Sequence, residues 1–317
     1  MKRIVVIGSG GQDGRILTER LTEEGHHVLG LEPTGIAGGD AFGPELPAKW
    51  EATDPARVRE LIGVARPDEL YYFAAYHHSS EEADDDVPNL WRLSQEVHVT
   101  GLVNTLEALR RTAPHCRTFY AASSHVFGIP PTVVQDESTP FAPRCIYGIT
   151  KTAGIHVCRF YRQRHGLHTS VGIFYNHESR YRPRKFVSQR IVQGALEARE
   201  AKRAARTSKL VLGDLSAVVD WGYAPDYVDA AVRMVRSEIP DDFVIATGIP
   251  HTVADFVAAA FGRVGLDWRE HVEQDPALVR RQGTTLVGNS SKLRQATGWK
   301  PSVGFEEMIG VLLEGTG

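Results

Sequence analysis

The opening of the chain constrains its fold more than any other stretch. Arg3–Ile7 (RIVVI) is a β-branched run that empties into Gly8-Ser9-Gly10-Gly11-Gln12-Asp13-Gly14, followed by Ile16, Leu17 and Leu21 at helical spacing. A buried strand, a glycine turn and a helix in immediate succession predict a βαβ unit and a parallel sheet. Gly8, Gly11 and Gly14 give a GxxGxxG spacing. Such a turn lets backbone and helix N-terminal amides approach a pyrophosphate where side chains would obstruct it. Gln12 and Asp13 belong to the same turn and are expected to bind the dinucleotide with it.

The alternation continues. Strands are expected at His27–Leu31, Leu70–Ala74, Thr118–Ala122 and Ser170–Phe174, and helices at Ile16–Glu24, Pro55–Val64, Leu90–Arg111 and Tyr147–His165. This pattern implies an α/β, Rossmann-type, doubly wound parallel sheet over residues 1–175, with ligands at the strand C-termini. After Asn176 the rhythm breaks. Residues 176–317 are expected to form a smaller α/β substrate lobe, interleaved with returns to the main sheet near 210–247. Its expected helices are Ile191–Ala205, Asp226–Arg236, Thr252–Val264 and two short ones in the tail, with strands at Leu210–Leu212 and Phe243–Ala246.

Charge excludes other classes. Lys+Arg 36 against Asp+Glu 39 in 317 residues argues against a nucleic-acid partner, which would need a basic excess. No long apolar run predicts a membrane span, and MKRIVVIGSGG reads as a first strand and not as a signal peptide. Cys116, Cys145 and Cys158 have neither disulfide nor zinc spacing, so a cytoplasmic chain without a metal is expected. The acidic run Glu81–Asp86 is most simply a solvated loop.

Glu32 ends the second strand, where a carboxylate accepts from the adenosine ribose hydroxyls and repels a 2′-phosphate, favouring NAD over NADP. Glu51 is expected beside the adenine, and Ala74 and Ala75 are small enough for the dinucleotide to pass. Tyr147 and Lys151 stand one helical turn apart, so an ammonium beside the phenol would lower its pKa and let it take a hydroxyl proton. Ser123 ends a strand within Ala122–Gly128 (ASSHVFG) and is placed to hydrogen-bond the reacting oxygen.

At this point the sequence resembles the extended short-chain dehydrogenase/reductase superfamily, in particular its NAD-dependent epimerases and dehydratases, and most nearly the GDP-mannose 4,6-dehydratases. The matching stretches are Gly8–Gly14, Phe73–His78 (FAAYHH), Ser123–Gly128, Arg144–Lys151 (RCIYGITK), Gly172–Ser179 (GIFYNHES), Phe186-Val187, Asp220–Val228 (DWGYAPDYV) and Gly298–Pro301 (GWKP). The resemblance implies NAD in the large lobe and a nucleotide-linked sugar in the small one. It implies catalysis that oxidises a sugar hydroxyl to a ketone, eliminates water or inverts a centre, and returns the hydride. It also implies Ser123, Tyr147 and Lys151 as catalytic, and His78, Ser124, Asn176, Glu178, Arg182, Lys185 and Arg280 as substrate-binding. Asn176, ending the strand where the NHES turn is expected, has the plainer reading of a structural turn-former.

The departures are informative. Where the dehydratases carry a Glu, this chain has His125, which either does the acid/base work of elimination or packs in an enzyme that performs none. Glu178, His77 and His78 are further acid/base candidates. Val219 replaces an Arg that contacts the substrate diphosphate in the family, leaving Arg182, Arg184, Lys185 and Arg280 to compensate. Otherwise the substrate is a nucleoside-type molecule without a diphosphate. Gly35–Pro44 lacks the basic residues of NADP-using relatives. A net 4-keto sugar reductase and an NAD-sensing module are the other readings, the latter not needing Ser123, Tyr147 and Lys151. His98 and Asn104 read as packing or interface residues, and Leu90–Arg111 with Tyr147–His165 as the contact of a homodimer or higher homo-oligomer.

Overall fold

The computed structural model describes residues 1–33, 35–47, 49–77, 86–278 and 285–315. A seven-stranded sheet is built around β1 (Arg3–Ile7). To one side run β2 (His27–Glu32) and β3 (Gly35–Ala37); to the other run β4 (Glu69–Tyr72), β5 (Arg117–Ser123), Thr169–Phe174 and Asp242–Ile245. All neighbours pair parallel except β3, which turns back antiparallel on β2 and closes that edge. The sheet is therefore parallel in six strands, with an antiparallel edge in a segment for which no strand was expected.

Its strands are buried on both faces: Val5, Val6, Leu70, Tyr71, Phe119 and Ile173 are all fully enclosed. Each such side chain contributes roughly 1.5–3 kcal/mol by leaving water. The covering helices are α1 (Gln12–Glu23), α2 (Pro55–Ala65), α3 (Val87–Gln95), α4 (Gly101–Thr112) and α5 (Ile146–His165). The single helix expected over Leu90–Arg111 is α3 and α4 joined by a π-helical turn, Glu96–Thr100. That turn widens the helix facing the start of α5 and aims His98 inward.

The chain then crosses between two cores. α6 (Val187–Arg203) enters a second core with Trp221, Phe256, Phe261 and Met308. α7 (Ala224–Arg236) returns to the large core, and Asp242–Ile245 adds the last strand of the large sheet. A three-stranded sheet beside it pairs Asn176–Glu178 parallel and Pro250–Thr252 antiparallel with Val218–Tyr223. The NHES segment, expected as a turn, is thus largely a strand. Asp220 and Asp226 of the DWGYAPDYV motif do structural work. Asp220 accepts from the amides of Thr247, Gly248 and Gly288, and Asp226 from Ser302 and Val303. No helix among the described residues is long and apolar enough to cross a membrane.

Candidate active site

A cleft of about 640 Å³ opens at the C-terminal ends of β1, β2, β4 and β5. The glycine turn forms its floor. Gly8 holds φ +89°, and a Cβ there would meet the Ala74 nitrogen at 2.6 Å; one on Gly14 would strike the Gly8 carbonyl oxygen at 2.2 Å. Gly11 is different, since a Cβ there would meet only the Gly8 oxygen at 3.4 Å. It caps α1 without a side-chain hydrogen bond, so the first amides of the helix are left for a ligand. The turn therefore fits a dinucleotide pyrophosphate.

Glu32, at the end of β2, reaches over the turn, and Ser9 Oγ donates to its Oε1 at 3.2 Å. A Cβ on Gly10 would sit 2.2 Å from Glu32 Oε2. A side chain at Gly10, outside the GxxGxxG spacing, would therefore displace a carboxylate twenty-two positions away. Gly8, Gly11, Gln12, Asp13, Gly14, Glu32, Ala74 and Ala75 all line the cleft. Glu51 does not: its neighbours Trp50 and Ala52 do, while Glu51 is exposed and accepts from Thr53 at 2.7 Å.

Gln12 and Asp13 also join the turn to the NHES strand. Gln12 Nε2 donates to the His177 carbonyl at 3.0 Å, and Ser179 Oγ donates to Gln12 Oε1 at 2.9 Å. His177 Nε2 lies 3.0 Å from an Asp13 oxygen, and its Nδ1 lies 2.7 Å from the Tyr175 carbonyl. Burial alone would raise the Asp13 carboxyl, but His177 and then Arg182 hold it below its ordinary value.

Ser123, Tyr147 and Lys151 meet at the far wall. Burial pushes the Tyr147 phenol up, against Arg182 and a hydrogen bond with Ser123 that favour the phenolate. Lys151 is 1% exposed and donates from Nζ to the Ala121 carbonyl at 2.8 Å. Its ammonium lies 5.7 Å from the centre of the Tyr147 ring, and burial lowers its pKa to about 7. Among the charged neighbours, Arg182 is the one that most favours the Tyr147 phenolate.

Three imidazoles surround that ring edge-on: His77 at 5.0 Å, His98 at 5.2 Å and His125 at 5.8 Å between centres. His98 is fully buried. Its Nε2 accepts from the Tyr76 amide at 3.0 Å, and its Nδ1 sits 2.8 Å from the Thr150 hydroxyl. It thus ties the loop after β4 to the helix carrying Tyr147. Burial, then Lys151 and His77, push its pKa well down, so it is neutral. The sequence carries little signal for this part, because a π-turn and a contact fifty-two positions apart create it. His125 opens onto the cleft, yet the surrounding protein lowers its pKa by burial.

The substrate-side residues divide. Asn176, Arg182 and Lys185 line the cleft, and Lys185 Nζ donates to the His77 carbonyl at 3.3 Å. Ser124 is buried and does not line it. Glu178 is 1% exposed behind the wall, accepting from Ser188 Oγ at 2.7 Å, with Arg182 Nε at 3.4 Å. Burial raises its carboxyl, but it does not line the cleft and is a support for Arg182. Val219 also lies outside the lining, half-buried against the second core and paired with His251. His78 and Arg280, with residues 81–85 of the acidic run, lie outside the described residues. Among the described residues no group of three or more His, Cys, Asp or Glu could hold a metal ion.

Comparison with known proteins places this geometry in context. The family model described as "GDP-mannose 4,6 dehydratase" matches residues 5–311. GDP-mannose 4,6 dehydratase 1 of Arabidopsis thaliana is 35% identical, covering 99% of this chain and 89% of that protein. The Yersinia enterocolitica GDP-mannose 4,6-dehydratase is 28% identical over 99% of this chain and 94% of its own. Among solved structures, the fold is shared with RMD from Pseudomonas aeruginosa complexed with NADPH (TM-score 0.80, 19% identity, 100% of this chain and 99% of that one). It is shared equally with the Thermus thermophilus UDP-glucose 4-epimerase complex with NAD (TM-score 0.79, 22% identity, 99% and 98%).

Proposed function

The chain belongs to the GDP-mannose 4,6-dehydratase family, and from that premise we propose that it is a nicotinamide-dinucleotide-dependent dehydratase of a nucleotide-linked sugar. The observation that carries the reading is the convergence of Ser123, Tyr147 and Lys151 with the glycine turn in one cleft. The dinucleotide supplies a hydride acceptor that gives the hydride back, so no external reductant is consumed. The amides of Gln12 and Asp13 at the start of α1 would hold its pyrophosphate, and Glu32 its adenosine ribose. A carboxylate fixed by Ser9 at that position favours NAD over NADP.

Tyr147 takes the proton of the sugar hydroxyl as the carbon beneath it becomes a ketone. Ser123 holds the same oxygen, and Lys151 carries the released charge. The ketone acidifies the neighbouring C–H. His125, open to the cleft beside Tyr147, takes that proton and passes it to the departing hydroxyl. Arg182 and Lys185 bind the substrate's phosphates and Asn176 its sugar. Family membership favours a diphosphate-linked substrate over a bare nucleoside, and Val219, packed outside the cleft, is no obstacle to it. The chain works in the cytoplasm and pairs with a second copy through α3 and α5, a reading supported by exposed Trp91, Ile149 and Phe160.

The test is incubation with GDP-mannose and a panel of other nucleotide sugars in D2O, read by mass spectrometry. Loss of one water without net cofactor consumption supports a dehydratase. Deuterium uptake without mass loss supports an epimerase instead. Stoichiometric cofactor consumption supports the 4-keto sugar reductase.

A further inference from the structure

Cys145 caps α5, the helix that carries Tyr147, and it stands behind His125. Its sulfur accepts from the Gly148 amide at 3.4 Å and lies 3.7 Å from His125 Nδ1. The two segments are pressed together. A Cβ on Gly148 would come within 2.6 Å of the His125 carbonyl oxygen, so glycine is what lets the His125 turn lie on the first turn of α5. The turn is fixed from its other side by the His125 amide, which donates to Ser123 Oγ at 3.3 Å. His125 Nε2 has no protein partner among the described residues, and the ring lines the cleft. One ring nitrogen is thus held by sulfur and the other is offered to a ligand.

Which proton lies between Cys145 and His125 decides what Nε2 can do. A thiol donating to Nδ1 leaves Nε2 as an N–H, which cannot take a proton. A sulfur accepting from Nδ1–H leaves Nε2 with its lone pair free. The Gly148 amide already uses the sulfur as an acceptor at the first turn of α5, which favours the second arrangement.

Resting on the dehydratase reading above, we propose that Cys145 is the positioning residue of His125, its sulfur accepting Nδ1–H so that Nε2 serves as base and then acid in the elimination. Nε2 takes the proton from the carbon beside the ketone, and that electron pair forms the new carbon–carbon double bond. The bond to the neighbouring hydroxyl breaks, its oxygen leaves with the pair, and it receives the Nε2 proton as water. His125 ends as it began. Cys145 acts through His125 and lies outside the cleft lining. The titratable groups around the pair are Tyr147, edge-on to His125, and beyond it His77, His98 and Lys151, with Arg144 next to Cys145 in the chain.

The first test reads the sulfur without turnover. Cys116 and Cys158 are buried and Cys145 is partly open, so iodoacetamide alkylation of the folded protein against pH follows Cys145. The midpoint of His125→Gln is expected to differ from that of the intact protein by about one unit, because the sulfur loses its ring partner. Equal midpoints overturn the pairing.

The second test reads turnover. Cys145→Ala is expected to lower kcat by about 10- to 100-fold with KM unchanged, and to move the acid limb of the pH profile. Cys145→Asp returns an acceptor for Nδ1–H and is expected to recover most of the rate while abolishing sensitivity to iodoacetamide. Cys145→Ala at the full rate, with the pH profile of the intact enzyme, overturns the proposal. Failure of the dehydratase reading is distinct from this: the intact protein would then release no water from any nucleotide sugar, and the alkylation midpoints would decide the pairing alone.

Discussion

Asp13 and His177 meet at 3.0 Å across the seam between the cofactor turn and the substrate-side strand. The other ring nitrogen of His177 faces the Tyr175 carbonyl, so both nitrogens point at groups that can only accept. The contact is stacked against Tyr227, with ring centres 4.7 Å apart. It links residues 164 positions apart and makes the glycine turn part of the substrate lobe's support.

Breaking this pair should loosen both sites together. Asp13→Asn and His177→Asn are each expected to lower stability by about 1–3 kcal/mol and to weaken dinucleotide binding, as read by thermal melting with and without cofactor. The pH dependence has a definite sign. The Asp13 carboxyl is held below its ordinary value, so its contribution is present above that value and lost as pH falls through the lower, folded-state one. Asp13→Asn should flatten the acid side of the stability profile. An unchanged profile would remove the pair from this role.

Tyr147 is half-buried among three imidazoles, with its pKa pushed up by desolvation. Tyr147→Phe deletes only the hydroxyl. It is expected to cost about 100- to 10,000-fold in kcat while leaving the melting temperature nearly unchanged. Retention of most activity would exclude the phenol as the base.

Lys151 should trade stability against activity. Its pKa of about 7 reflects a cation disfavoured by burial. The unfolded chain binds the proton more readily between that value and the ordinary lysine value, so stability should rise with pH across that window. Lys151→Met should raise stability by roughly 1–3 kcal/mol at pH 7 and below, abolish turnover and remove that slope. Calorimetry across pH reads both effects.

Glu32 should govern the choice of dinucleotide. Glu32→Gln is expected to weaken NAD binding by about 10- to 100-fold, and to weaken NADP much less, by removing a charge that opposes a 2′-phosphate. Gly10→Ala should reproduce the loss, because its methyl would occupy the place of the carboxylate. Isothermal titration with both dinucleotides distinguishes preference from general weakening.

The sequence made local relationships legible and long-range ones obscure. Tyr147 with Lys151, the glycines with α1, and the alternation of strands and helices are set by spacings of a few residues, which side-chain periodicity reports directly. Gly10 owes its close contact to Glu32, His98 its place to a π-turn, and Cys145 its partner to a turn twenty positions earlier. No local spacing encodes these. Nor does any encode the place of Glu178, which stands two positions beyond the cleft-lining Asn176 yet turns behind the wall to Ser188 and Arg182. The antiparallel β3 escaped notice because three residues after a turn carry too short a pattern.

The most direct measurement follows the hydrogen on the carbon to be oxidised. The substrate nucleotide sugar is labelled there with deuterium, converted by the purified protein, and the product is mapped by NMR. The expected result is one deuterium retained per product molecule, at a carbon that gains it as water is lost, with no exchange into added dinucleotide. Deuterium recovered in the free dinucleotide pool, one equivalent per turnover, would contradict internal return of the hydride and make the protein a net oxidoreductase.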